Sequence, residues 1–177
     1  MKYMPSLIYP SIYEIDFNKL YASGKRIILS DLDNTIASYD ELTPSEKQIM
    51  WNEDLRKLGF KIYLVSNNQD KRLIEFTKTF KVDGFIAKAK KPFTSKMEKY
   101  LNIHNINKEE VVALGDQLVT DISGFNKLGV TSILVKTINQ KNQKWYTKIN
   151  RIREKQILKN IKKEDFDKYN QIKVFYE

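Results

Sequence analysis

The chain contains no cysteine, which excludes disulfide frameworks, thiolate zinc sites and cysteine nucleophiles. Histidine is nearly as scarce. His104 stands alone, so clustered histidine metal sites are excluded, and a serine–histidine–aspartate hydrolase would have to run through that one residue. It lies in the polar run NIHNIN and is expected to be exposed. No stretch reaches the roughly 18–20 apolar residues of a membrane span. The opening MKYMPSLIYPSIYEID does not read as a signal peptide, because Pro5 and Pro10 interrupt it and acidic residues follow. A cytoplasmic location is therefore expected. Arginine is sparse, no aromatic-rich nucleic-acid signature appears, and there is neither an internal repeat nor a low-complexity tract.

What is present suits one globular unit. The 177 residues are 41% hydrophobic and 30% charged, enough for a single core, and one domain spanning 1–177 is expected. The net charge is +9, concentrated toward the C-terminal end.

From residue 26 onward short apolar runs alternate with helical patterns. Residues 26–32 read as a buried strand, and further strands fall at 60–65, 84–87, 110–114 and 131–136. Thr43, Pro44 and Glu46 read as a helix start with Thr43 as N-cap; that helix runs to about Leu58 and stops at Gly59. Leu73, Phe76 and Phe80 give a short helix its apolar side, as do Phe93, Met97, Tyr100 and Leu101, and again Ile122, Phe125 and Leu128. This alternation implies right-handed βαβ units. The expectation is a three-layer α/β/α sandwich on a five-stranded parallel sheet, with a core over about 20–136 and a basic C-terminal helical extension over about 139–177.

Ligands bind such sheets beyond the carboxyl ends of the strands. The first strand ends in Asp31-Leu32-Asp33-Asn34-Thr35 and the second in Ser66-Asn67-Asn68. Lys88, Lys90 and Lys91 follow the third, and Gly115-Asp116 closes the fourth, with Asp121 nearby. Asp31 and Asp33 share a side of an extended backbone and repel unless a cation neutralises them. With oxygen ligands alone, Mg²⁺ is the natural choice. A carboxylate nucleophile, a cation, a hydroxyl, amides and a lysine together suit phosphoryl transfer, with a second carboxylate moving the proton.

The four motifs, DLDNT, LVSNN, AKKP and GDQLVTD, resemble those of the haloacid dehalogenase (HAD) superfamily of phosphatases. The likeness is closer to its YqeG-type subfamily, which is similar to the phosphatidylglycerophosphate phosphatases. The resemblance implies an Asp31 nucleophile, an Asp33 general acid/base and a phosphate-pairing Lys91. It also implies phosphate contacts from Asn34, Thr35, Ser66 and Asn67, and Mg²⁺ held by Asp31, the Asp33 carbonyl, Asp116 and Asp121.

Seven residues between Thr35 and Thr43, and one helix plus one short strand between Ser66 and Lys91, leave no room for a cap domain. An uncapped crevice suits a phosphate carried on something large. By resemblance that is phosphatidylglycerophosphate; a soluble sugar or nucleotide phosphate is the alternative within the same chemistry. A nucleic-acid or ribosome-associated module with a vestigial site is the alternative from another class. Residues 141–163 carry nine basic residues and one acid, Glu154. Trp145, Ile149 and Ile152 fall on one helical side, Leu158 and Ile161 on another. That pattern reads as a peripheral element on an anionic membrane or as a helix packed on its own core.

Overall fold

The computed structural model describes residues 2–139 and 145–176, with the backbone alone at residue 70 and at 145–152. Its centre is a sheet of six strands: β1 (Leu7–Tyr9), β2 (Ile27–Ser30), β3 (Lys61–Val65), β4 (Gly84–Ile86), β5 (Val111–Gly115) and β6 (Thr131–Val135). The strand order is β1-β6-β5-β2-β3-β4 and every pairing is parallel. Strand β2 lies at the centre, with Ile28 opposite Ile62 on one side and Val112 on the other. All four of its residues are buried, because helices cover both faces of a parallel sheet.

The sheet therefore has one strand more than the five expected. The extra strand is β1, which aligns Leu7 with Ile133 and Tyr9 with Val135. It is three half-buried residues between Pro5 and Pro10, too short for a strand pattern to register. Proline is tolerated there because β1 is an edge.

Helices α1 (Phe17–Ala22), α2 (Glu46–Leu58) and α3 (Asp70–Thr77) cover one face, and α4 (Ser95–Ile103) and α5 (Ser123–Leu128) the other. The start of α2 departs from expectation. Its N-cap is Ser45, whose Oγ accepts from the Gln48 amide at 3.4 Å while Gln48 Oε1 accepts from Ser45 N–H at 2.8 Å. Gln48 Nε2 also donates to the Ile36 carbonyl at 2.8 Å. That tertiary contact fixes the box two residues beyond Thr43. Gly59 ends α2 at φ 104°, a left-handed turn that glycine adopts without strain. Phe93 falls outside α4 and is 68% exposed, so Met97 and Leu101 bury the helix, with Tyr100 partly buried against the same cluster.

The C-terminal stretch forms α6 (Trp145–Glu164) and α7 (Phe166–Lys173), the latter capped by the Asp165 side chain, which accepts from Lys168 N–H at 2.9 Å. Ile157, Leu158 and Ile161 of α6 join Ile172 and Phe175 in a third apolar cluster with Leu118, Ile122 and Leu134. Each such side chain contributes about 1.5–3 kcal/mol on burial. The described apolar residues of α6 thus face the protein, while Lys155, Lys159, Lys162 and Lys163 stay exposed. The side chains of Trp145, Ile149 and Ile152, and residues 141–144, lie outside the described residues. His104 is exposed, as expected, and stacks its ring on Tyr100.

Candidate active site

The strands run parallel, so the ends of β2, β3, β5 and β6 and the turn after β4 converge at one rim. Asp31 leaves β2 there, its amide held by the Leu114 carbonyl at 2.9 Å. Asp116 and Asp121 follow β5, the latter on a π-helical turn, Leu118–Ile122. One carboxylate oxygen from each of Asp31, Asp116 and Asp121 lies within 4.8 Å of the others, and all three residues are buried. Asp121 presses against the end of β5, where a Cβ on Gly115 would stand 2.3 Å from Asp121 Cβ. Only glycine leaves room for that carboxylate.

Lys91 is buried among them. Its Nζ lies 2.6 Å from Asp31 Oδ1 and 2.7 Å from Asp121 Oδ1, and donates to the Val65 carbonyl at 3.1 Å. Lys88 and Lys90 adopt positive φ angles of 48° and 59° and point to solvent, so the loop itself selects Lys91 among the three lysines. Asn67 clamps that loop: its Oδ1 accepts from Lys91 N–H at 2.7 Å and its Nδ2 donates to the Lys91 carbonyl at 3.1 Å.

Asp33 stands apart from this cluster. Its carboxylate accepts from Arg72 Nε and from Asn68 Nδ2. The Arg72 guanidinium also donates to the carbonyls of Glu41 at 2.7 Å and Ser38 at 2.9 Å. Thr35 Oγ1 reaches Asp31 Oδ2 at 3.4 Å, and Thr137 Oγ1 donates to Asp116 Oδ2 at 2.8 Å. Ser66 is buried and its Oγ accepts from Asn68 N–H at 3.0 Å. Asn34 turns the chain at φ 65° with its Oδ1 buried and unpaired among the described residues.

All the residues expected to act on the phosphoryl group or the cation thus reach this rim, while Lys88 and Lys90 turn to solvent. Four others with a part in it escape the motifs: Arg72, Thr137, Glu154 and Arg153. Glu154 is fully buried and accepts from Leu118 N–H at 2.7 Å, which joins α6 to the turn bearing Asp121. Arg72 carries one signal, a lone arginine one turn beyond Ser66-Asn67-Asn68 in an arginine-poor chain. Glu154 carries another, as the one acid among the nine basic residues of 141–163, and Thr137 and Arg153 carry none.

Burial pushes the Asp31 carboxyl well above the usual range; Lys91 draws it back, while Asp121, Asp33 and Asp116 push it further up. Burial lowers the Lys91 ammonium, but Asp121 and Asp31 more than offset this, and its proton is held more tightly than in water. Three buried carboxylates gather around one ammonium, their oxygens close enough to share a single ion. An all-oxygen donor set of this kind fits a hard divalent cation.

A cavity of about 850 Å³ opens above these groups. Ser66, Asn67 and Asn68 line it together with Tyr39 and Phe93, and Arg153, Gln156 and Asn160 of α6 form a further wall.

A parallel sheet that carries such carboxylates and a buried lysine at its strand ends is that of a HAD-like hydrolase. The HAD-hydrolase-like family model matches residues 88–163. "Probable phosphatase YqeG" of Bacillus subtilis is 32% identical over 161 residues, which cover 91% of this chain and 92% of that protein. The chain belongs to this YqeG family of HAD phosphatases. An uncharacterised protein of Listeria monocytogenes shares the fold with a TM-score of 0.54 at 19% identity, over 67% of this chain and 84% of its own. So does the D,D-heptose 1,7-bisphosphate phosphatase of B. bronchiseptica, solved with magnesium and phosphate, with a TM-score of 0.50 at 16% identity over 63% and 81%. The chain is a phosphatase, so the reading of a binding module with a vestigial site is set aside.

Proposed function

We propose that this phosphatase works through an aspartyl-phosphate on Asp31 and dephosphorylates phosphatidylglycerophosphate. The observation that carries the chemistry is the separation of the two motif carboxylates. Lys91 holds Asp31 among buried acids, while Arg72 and Asn68 hold Asp33 outside them. Two acids in different surroundings take different roles.

Asp31 attacks phosphorus; the P–O bond to the alcohol breaks as the O–P bond to Asp31 forms, and Asp33 gives its proton to the departing alkoxide. Asp33 then takes a proton from water, whose oxygen attacks phosphorus and releases Asp31 and inorganic phosphate. Lys91, Ser66, the Asn67 amide, Asn34 and Thr35 orient the phosphoryl group. Asp31, Asp116, Asp121 and the Asp33 carbonyl would hold Mg²⁺, which would supply charge neutralisation to the phosphoryl group.

Three features support a lipid substrate. The chain has no inserted cap between Thr35 and α2 or between Ser66 and Lys91. Phe93 is exposed and lines the cavity. The exposed lysines of α6 face solvent beside the cavity wall, and each basic residue near an anionic surface contributes about 1 kcal/mol. No helix among the described residues is long and apolar enough to cross a membrane. Access to a lipid would then come from peripheral contact through residues 141–163 at the inner face. A soluble sugar phosphate is the second reading, favoured by the amides of Gln156 and Asn160 in the same wall. The test is turnover of phosphorylated lipids, sugars and nucleotides with Mg²⁺ present and then chelated. Preference for phosphatidylglycerophosphate in anionic vesicles, weakened by salt, is expected; preference for a soluble ester overturns the lipid reading.

A further inference from the structure

One wall of the cavity is built by parts of the chain that lie outside the four motifs. Arg153, Gln156, Ile157 and Asn160 of α6 line it, together with Lys2 and Tyr3 of the N-terminal segment. The α6 residues project from successive turns of one helix side, as positions three and four apart do. The helix cannot drift away from the site. Glu154, next to Arg153, is fully buried on the Leu118 amide, and Leu158 and Ile161 are packed in the core. A helix anchored on one side presents its other side at a set position over the cavity.

The charges around the cavity are unevenly satisfied. Lys91 is taken up by Asp31 and Asp121, and Arg72 outside the cavity lining takes up Asp33. Arg153 has neither ion-pair nor hydrogen-bond partner among the described residues and is exposed into the cavity. The Lys2 side chain has an aromatic contact alone among the described residues, its Nζ 4.9 Å from the Tyr3 ring centre. Two cations outside the motifs thus line the same cavity as the motif residues that would hold the phosphoryl group. An arginine offers a planar fork matched to phosphate or carboxylate oxygens.

We infer that this wall is the leaving-group subsite, and that Arg153, with Lys2, is a specificity-determining residue that binds a second anionic group on the alcohol side of the substrate. The inference rests on the phosphatase mechanism proposed above, with the phosphoryl group at Asp31. A phosphodiester, a carboxylate or a second phosphate would each present the required oxygens. The wall takes the place of a cap domain: the chain's own termini, not an insertion, confer selectivity.

Matched soluble esters separate these sources and separate this inference from the lipid reading. With full-length enzyme and Mg²⁺, kcat and KM are measured for glycerol 3-phosphate, for 3-phosphoglycerate and for the deacylated headgroup glycerophosphoglycerol phosphate. The first lacks a second anion, the second carries a carboxylate and the third a phosphodiester. The native enzyme should prefer at least one anion-bearing ester over glycerol 3-phosphate. In Arg153→Ala that preference should fall by about 10- to 100-fold, the usual worth of a charged hydrogen bond, mainly through KM. Arg153→Lys should retain part of it. A preference for the phosphodiester supports both readings; a preference for the carboxylate, lost in Arg153→Ala, supports the subsite and removes the lipid. Absence of any preference in the native enzyme overturns the subsite. So does a preference that survives in Arg153→Ala, or an equal loss on all three esters.

Discussion

Glu154, fully buried in α6, accepts a hydrogen bond from the Leu118 amide at 2.7 Å. Leu118 opens the turn that carries Asp121, so a residue near the C-terminal end of the chain holds a carboxylate of the site in place.

Removing that link should be felt both in stability and in turnover. Glu154→Ala is expected to cost about 1–3 kcal/mol, because a buried amide loses its acceptor. Urea unfolding would show it as a lower midpoint. Truncation after Ile138 goes further, since it strips five buried apolar side chains, Ile157, Leu158, Ile161, Ile172 and Phe175, from the third cluster. Loss of hydrolysis of a soluble aryl phosphate together with any lipid substrate is expected. Full aryl phosphatase activity in the truncated chain would contradict a structural role for α6.

Asp31→Asn should lower kcat on an aryl phosphate by about 10³-fold or more, with the melting temperature close to native. The fold survives because Lys91 keeps Asp121 at 2.7 Å. Retained turnover would show that another group attacks phosphorus.

The pH dependence of stability should differ with and without Mg²⁺. Burial raises the Asp31 carboxyl well above its usual 3.8. In chelator the folded protein therefore binds more protons than the unfolded chain, and stability is lost as pH rises from about 4 through the raised value. A divalent cation favours the ionised form and should flatten that slope. Unfolding free energies from pH 4 to 8, in EDTA and in Mg²⁺, for the native protein and Asp31→Asn, provide the check. The variant should lack the slope in EDTA; an identical slope in both proteins would assign it to other groups.

Arg72→Ala should leave Asp33 with Asn68 alone and release the 38–41 loop from two carbonyl contacts. The expected result is a fall in kcat of about tenfold or more, with a displaced limb of the pH–rate profile, because Asp33 moves the proton. Arg72→Lys cannot make the three-way contact and should recover little. An unchanged profile would argue that Asp33 is not the acid and base.

Much of the site is legible in the sequence. Asp31, Asp33, Ser66, Lys91, Asp116 and Asp121 all stand at predicted strand ends, and a parallel sheet brings such ends to one rim. Strand β1 is not legible, because three half-buried residues between prolines carry no periodicity. The true N-cap of α2 is obscured in the same way: Thr43 and Ser45 both satisfy local capping rules, and the contact from Gln48 to Ile36 decides between them. Nor does Phe93 follow its helical spacing, since it lies before the first residue of α4 in an exposed position.

By itself the sequence determined the chemistry available: carboxylates, a hydroxyl, amides and lysines at the ends of buried apolar runs, with neither cysteine nor clustered histidine to compete. It determined the central strands too, since a run buried on both faces has few other places to go. The tertiary structure decided which groups act on which. It turned Lys91 inward and Lys88 and Lys90 outward, set Arg72 on Asp33, and laid α6 along the cavity with Glu154 beneath and Arg153 facing in. The pairings of Lys91 with Asp31, Leu118 with Glu154 and Arg72 with Asp33 join residues 36 to 60 positions apart. Local propensity carries no information over such separations, and only the packing of the sheet and its helices brings them within hydrogen-bond reach.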